Sequence, residues 1–204
     1  MYRITPTVKN LIIINVIVYF AITYMFPGLR IYFEAFYPAS SYFHPVQLVT
    51  HMFMHANLLH LFFNMFMLYM FGTTMEYVWG SRYFLFVYFA SGFGAVALHF
   101  LFKLILLQFA ADPQLSYELI NIPAVGASGA VFGIFAAFGA QFPHRMLMLI
   151  FPPVALEARI LIPAMVILEV FLGITGYDGI AHFAHVGGAI TGFLLAKYRY
   201  KFNM

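Results

Sequence analysis

A chain of 204 residues that is 64% hydrophobic, 20% aromatic and only 8% charged, with a mean hydropathy of +0.90, does not have the composition of an ordinary soluble domain. Its net charge of +3 comes from basic residues lying mostly between apolar runs, which gives no support for nucleic-acid binding. Cysteine is absent, so disulfides, thiolate metal sites and cysteine nucleophiles are excluded.

A helix needs about 20 mostly apolar residues to cross a bilayer, so long gaps between Asp, Glu, Lys and Arg mark candidate spans. The gap from Lys9 to Arg30 predicts a first span over 10–27. Met25-Phe26-Pro27 offers no small-residue cleavage site, so this segment is expected to be retained. The gap from Glu34 to Glu76 is longer, but Pro38, Ser40, Ser41, His44, Pro45 and Gln47 make its first half too polar and broken to cross. A loop over 28–54 and a second span over 55–74 are the expectation. Further gaps predict spans over 83–106, 125–143, 159–177 and 180–197, the fifth interrupted by Glu169. The expected fold class is an all-α membrane protein, a polytopic six-helix bundle forming one domain over 1–204.

Six crossings put both termini on one side. That side holds Arg3, Lys9, Arg82, Arg145, Arg159, Lys197, Arg199 and Lys201, against Arg30 and Lys103 on the other, so both termini are expected in the cytoplasm. The expected location is the cell membrane, read as a bacterial inner membrane. Counting back from Glu76, Arg145 and Lys197 at 1.5 Å per residue, His60, Ser128 and His185 lie roughly 24, 25 and 18 Å above the inner boundary. Three polar groups thus fall in the outer half of one bilayer.

The fourth span opens with Gly126-Ala127-Ser128-Gly129, and Gly129 and Gly133 form a small-xxx-small face. In the sixth, Gly188 and Gly192 repeat that spacing, with His185 one turn above Gly188. Packing of the two faces brings His185 toward Ser128, and a serine needs an adjacent base to become a nucleophile. Small residues also pack helices with no chemistry, so the opposing histidine decides the reading. His182 lies three residues away near the same face; His185 is preferred because it shares the glycine stripe, and His182 is expected to be wetter. In the second span His60 and Asn64 present two donors at i and i+4, suited to an oxygen that turns negative during acyl transfer. Interhelical hydrogen bonding is the plainer role for either alone. His51 and His55 share a helical face, but His60 departs from it and no carboxylate is near, so no metal and no cofactor are expected. Glu169 is expected to face the bundle, paired or protonated, with no chemical role. Asp178 is seven residues before His185 and too far to orient it, so a Ser–His dyad is the economical reading.

These motifs resemble the rhomboid intramembrane serine proteases: His60-x-x-x-Asn64, then Glu76-x-x-x-Gly80, Gly126-x-Ser128-Gly129, and Ala184-His185-x-Gly187-Gly188 with Gly192, in family order along nearly the whole chain. The resemblance implies cleavage of transmembrane protein substrates in the lipid bilayer, with Ser128 as nucleophile, His185 as base, and Ser128 N–H, His60 and Asn64 holding the oxyanion. Gly126, Gly129, Phe132 and Gly188 would support them. It also implies that the first loop lies partly in the outer leaflet, where Tyr32, Phe33, Phe36, Tyr37, Tyr42 and Phe43 suit an interface. Phe132 stands where some members carry tyrosine, and the Trp-Arg pair some members carry in this loop is absent, since Trp79 is the one tryptophan. A catalytically inactive relative that binds membrane proteins would be favoured by loss of Ser128 or His185, and both are present. A transporter predicts internal repeats, and none is visible.

Overall fold

Pro6 opens the first helix, where its missing N–H costs no bond and its fixed φ suits the first turn. In the computed structural model, which describes residues 3–149, 153–175 and 181–199, helix α1 (Pro6–Phe20) continues through a π-turn to Met25, and Pro27 follows. The first loop contains the single turn α2 (Gln47–Thr50). Asn57 then caps α3 (Leu58–Met67), its side chain accepting from the His60 N–H at 2.8 Å. A π-turn at Leu68–Gly72 joins α3 to α4 (Thr73–Trp79), and Gly80, with φ 77°, ends the rod. There follow α5 (Ser81–Phe109), α6 (Pro113–Asn121), α7 (Ser128–Gln141), strands β1 (Met146–Met148) and β2 (Ala155–Glu157), α8 (Ala158–Thr175) and α9 (His182–Lys197).

Among the described residues four helices are long and apolar enough to cross a membrane: Pro6–Met25, Leu58–Trp79, Ser81–Phe109 and Ala158–Thr175. The second starts later than the expected 55–74 because Met54 is extended and Asn57 is the cap. It ends later because Gly72 is absorbed without a break, Leu68 and Val8 closing to 3.0 and 3.1 Å of where its Cβ would stand. Helices α7 and α9 have 14 and 16 residues, shorter than the spans expected over 125–143 and 180–197. At 1.5 Å per residue they rise about 21 and 24 Å. The described residues are predominantly helical, with one short hairpin that the all-α reading did not include. After Pro143 the chain cannot continue the helix, and β1 and β2 satisfy each other's backbone groups as an antiparallel hairpin with Met146 opposite Glu157. At its base the His144 ring and Arg159 both contact Glu157, at 2.8 and 2.9 Å, and the His144 hydrogen bond in particular holds that carboxyl below its usual pKa.

One end of the bundle is tied by polar contacts. The Glu76 carboxylate accepts from the Thr7 and Val8 N–H groups at 3.1 and 2.9 Å, satisfying donors that the start of α1 leaves open, and from the Ser81 hydroxyl at 2.7 Å. The Tyr83 hydroxyl donates to the Leu195 carbonyl at 2.9 Å, and the Arg199 guanidinium lies 5.4 Å from the Tyr83 ring. The start of α1 and the ends of α4 and α9 therefore share one end of the bundle with Arg199.

The core is the contact of α5, α7 and α9. A Cβ on Gly188 would strike the Gly129 carbonyl, one on Gly192 the Gly133 carbonyl, and one on Gly187 the Gly94 carbonyl of α5. These backbones approach as closely as glycine permits. Gly188→Ala should therefore force α7 and α9 apart and cost about 1–3 kcal/mol. The expected readout is a lower midpoint of thermal unfolding in detergent; a midpoint equal to wild type would contradict the contact.

Candidate active site

The short segment ahead of α7 is held by backbone bonds rather than by helix. The Ala35 N–H donates to the Ala124 carbonyl at 2.8 Å, the Ala124 N–H returns to Ala35 at 3.0 Å, and the Gly126 N–H donates to the His51 carbonyl at 2.9 Å. Lys103 of α5 donates to the Ile122 carbonyl at 2.5 Å. The first loop supplies His51 and Ala35, and it is organised by Gln47, a fully buried residue whose amide nitrogen donates to the Ile31 and Tyr42 carbonyls at 2.8 and 2.7 Å. Gly126 has φ 125°, a backbone that L side chains rarely adopt. The chain then enters α7 at Ser128, whose N–H, as the first in a helix, has no intrahelical acceptor and carries the positive end of the helix dipole.

Ser128 Oγ lies 2.9 Å from His185 Nε2. The glycine contact between α7 and α9 accounts for this, since His185 is one turn above Gly188 on α9. Phe132, one turn along from Ser128, stacks on the His185 imidazole with centroids 4.3 Å apart and planes 1° from parallel.

His60 is the third residue of α3. The Ala56 N–H donates to its Nδ1 at 3.3 Å, which leaves Nε2 to face the segment ahead of α7. A Cβ on Gly126 would stand 2.8 Å from His60 Cε1 and 3.4 Å from Ser128 Oγ, so glycine here also makes room for both groups. Asn64, one turn along α3, donates from Nδ2 to the His60 carbonyl at 2.9 Å. That uses one of its two amide hydrogens. Ser128, His185, His60, Asn64 and Phe132 all line one cavity of about 480 Å³. A hydroxyl against an imidazole, with N–H donors beside it in a concave site, is an arrangement that can perform acyl transfer. The His51 ring is engaged elsewhere, its Nδ1 bonded to the Gln47 carbonyl at 2.8 Å, and the His55 ring packs on the His60 ring at 5.1 Å.

The expectation for His182 is corrected, whereas Glu169 takes one of the two states expected of it. The His182 side chain is 6% exposed and that of His185 13%, so His182 is the drier of the two. The reason is tertiary: α8 closes over the start of α9 at Gly173, where an added Cβ would stand 3.2 Å from the His182 Cβ. Glu169 of α8 is paired, with Oε2 2.6 Å from His182 Nδ1 and 2.9 Å from His185 Nδ1. A carboxylate therefore stands beside His185 after all. Asp178, where the sequence invited a search for one, lies outside the described residues.

A model of the Rhomboid domain matches residues 42–202, which takes in Ser128, His185, His60, Asn64, Phe132, His182 and Glu169. The chain belongs to the rhomboid family. Among its relatives, RHOMBOID-like protein 6, mitochondrial, of Arabidopsis thaliana is 30% identical over 149 residues, covering 73% of this chain and 42% of the relative. Rhomboid protein 1, mitochondrial, of Saccharomyces cerevisiae (strain ATCC 204508 / S288c) is 29% identical over 153 residues, 75% of this chain and 41% of the relative. Presenilin-associated rhomboid-like protein A, mitochondrial, of Danio rerio is 27% identical over 146 residues, 71% and 35%. The chain spans less than half the length of these relatives. All three names are mitochondrial, so the bacterial inner membrane finds no support among them; the rhomboid domain and the apolar helices make this a multi-pass membrane protein.

Gly126→Ala should displace His60 relative to Ser128 and slow labelling by a serine-directed fluorophosphonate about ten- to a hundredfold. Gly28→Ala is the control, since nothing lies within 4 Å of that added methyl. Equal labelling of the two variants would contradict the packing.

Proposed function

We propose that this rhomboid-family chain is an intramembrane serine endopeptidase that hydrolyses peptide bonds in or near transmembrane segments of membrane-protein substrates. The observation that carries the reading is the 2.9 Å contact between Ser128 Oγ and His185 Nε2, opening on the cavity that His60 and Asn64 share. Ser128 Oγ attacks the scissile carbonyl carbon while His185 Nε2 takes its proton. The oxyanion is met by the Ser128 N–H at the start of α7, by His60 and by Asn64. Collapse of the tetrahedral intermediate breaks the C–N bond, with the proton passing from His185 to the leaving amine. Water, deprotonated by the same imidazole, then releases the acyl group from Ser128.

In this reading the domain crosses the bilayer six times, with α7 and α9 completing their crossings through the segments that flank them. The shortness of α7 has a use: it begins below the outer surface, so Ser128 sits at membrane depth where a transmembrane substrate can reach it. Both termini lie at the basic, cytoplasmic end. Gly126, Gly129 and Gly188 set the approach of α3, α7 and α9, and Phe132 holds the plane of the base.

Purified protein in liposomes, offered a panel of single-span substrates, tests this. Ser128→Ala and His185→Ala should abolish cleavage with the bundle still folded, and His182→Ala should retain substantial activity. Asn64→Ala should lower kcat by about 10²–10³ with little change in KM. Cleavage undiminished in Ser128→Ala would refute the proposal.

A further inference from the structure

Helix α8 lies at the edge of the bundle, with Ile167, Phe171 and Ile174 of its outer face exposed. Glu169 is the one charged residue between Arg159 and Asp178, and a carboxylate in an apolar crossing helix is costly unless it is paired. Its Oε2 meets two ring nitrogens, His182 Nδ1 at 2.6 Å and His185 Nδ1 at 2.9 Å. A carboxylate oxygen can only accept, so both Nδ1 atoms carry hydrogen and both rings donate. For His185 this decides the tautomer. With hydrogen on Nδ1, the neutral ring presents a lone pair at Nε2, the atom 2.9 Å from Ser128 Oγ. The serine O–H then donates to Nε2, which is the direction proton transfer requires.

We propose that Glu169 is a positioning residue for the reaction, the third member of a Ser128–His185–Glu169 chain of hydrogen bonds. This rests on the assignment of Ser128 and His185 made above. When the proton leaves Oγ for Nε2, an imidazolium forms beside a carboxylate, and the pair is neutral as a whole. Glu169 stays ionised, and the N–H of His182 holds the same oxygen from its other side. The carboxylate thus fixes both the tautomer and the ring orientation, while Phe132 fixes the ring plane. Because Glu169 belongs to α8 and the pair it serves to α7 and α9, docking of α8 and readiness of the base become one event. Glu169, His182 and His185, with ligand atoms within 4.8 Å of one another, are also of metal-ligating type. The direct oxygen-to-nitrogen distances favour hydrogen bonds, and the experiment includes that alternative.

The test compares wild type, Glu169→Gln, Glu169→Asp and Ser128→Ala of the full chain in liposomes, with turnover counted per folded molecule. Glutamine keeps the shape of the side chain, removes the charge, and can turn its NH₂ toward Nδ1, which favours the tautomer that cannot accept the serine proton. The expected result is a kcat lower by on the order of 10²-fold or more with KM essentially unchanged. Glu169→Asp should recover part of that loss. A Glu169→Gln protein with wild-type kcat per folded molecule, whatever its stability, would overturn the positioning role. So would wild-type turnover that a chelator abolishes and zinc restores. If wild-type turnover depends on Ser128 but not on Glu169, only this inference fails; turnover independent of Ser128 removes the protease reading as well.

Discussion

Everything in this molecule that could be chemical depends on two helix backbones touching. Gly188 of α9 lies against the carbonyl of Gly129 on α7, and Gly192 against that of Gly133, with no room for a methyl group at either α9 glycine. In lipid no hydrophobic drive pushes helices together, so van der Waals contact at small residues must supply the association. The gain is geometric as well as energetic. One turn above the tightest contact, the same approach carries His185 to within 2.9 Å of Ser128.

The second constraint is that Ser128 stands at the start of a helix inside the bundle, so the non-helical backbone ahead of it needs polar partners. The segment ahead of α7 meets that requirement through the first loop, which supplies backbone partners from Ala35 and His51 and is itself held by the buried Gln47. Non-helical backbone is tolerated at such depth only where protein satisfies it. The site is therefore a joint product of a rigid three-helix core and a loop that most of its aromatic residues would suggest is merely interfacial.

Much of this was readable in the residues. Gaps between charges located the apolar helices, because a charge inside lipid is expensive enough to be rare. The repeated spacing of Gly129 with Gly133 and of Gly188 with Gly192 named the faces that meet. Ser128, His185, His60 and Asn64 were all singled out by type and spacing, and they line one cavity. What was not legible is what tertiary structure decides. The π-turns that carry α1 and α3 onward, the hairpin after Pro143 and the extended backbone at Met54 leave no periodic signal. His182 was misjudged because its burial comes from Gly173 of a different helix. Glu169 was expected to be paired or protonated, but its partners went unnamed because it is 16 residues from His185 in the chain, and only the packing of α8 on α9 brings the two together. Its one sequence signal was its cost, a lone carboxylate in an apolar helix, which says that a partner exists without naming it.

The central claim is that Ser128 and His185 form one reactive pair across the α7–α9 contact. A chloroisocoumarin, which acylates an activated serine and can then alkylate a nucleophile beside it, tests this most directly when the treated protein is digested and its peptides are sequenced by mass spectrometry. The account predicts a cross-linked pair of peptides joined through Ser128 and His185. Adducts confined to other residues, or a cross-link from Ser128 to a group other than His185, would contradict it.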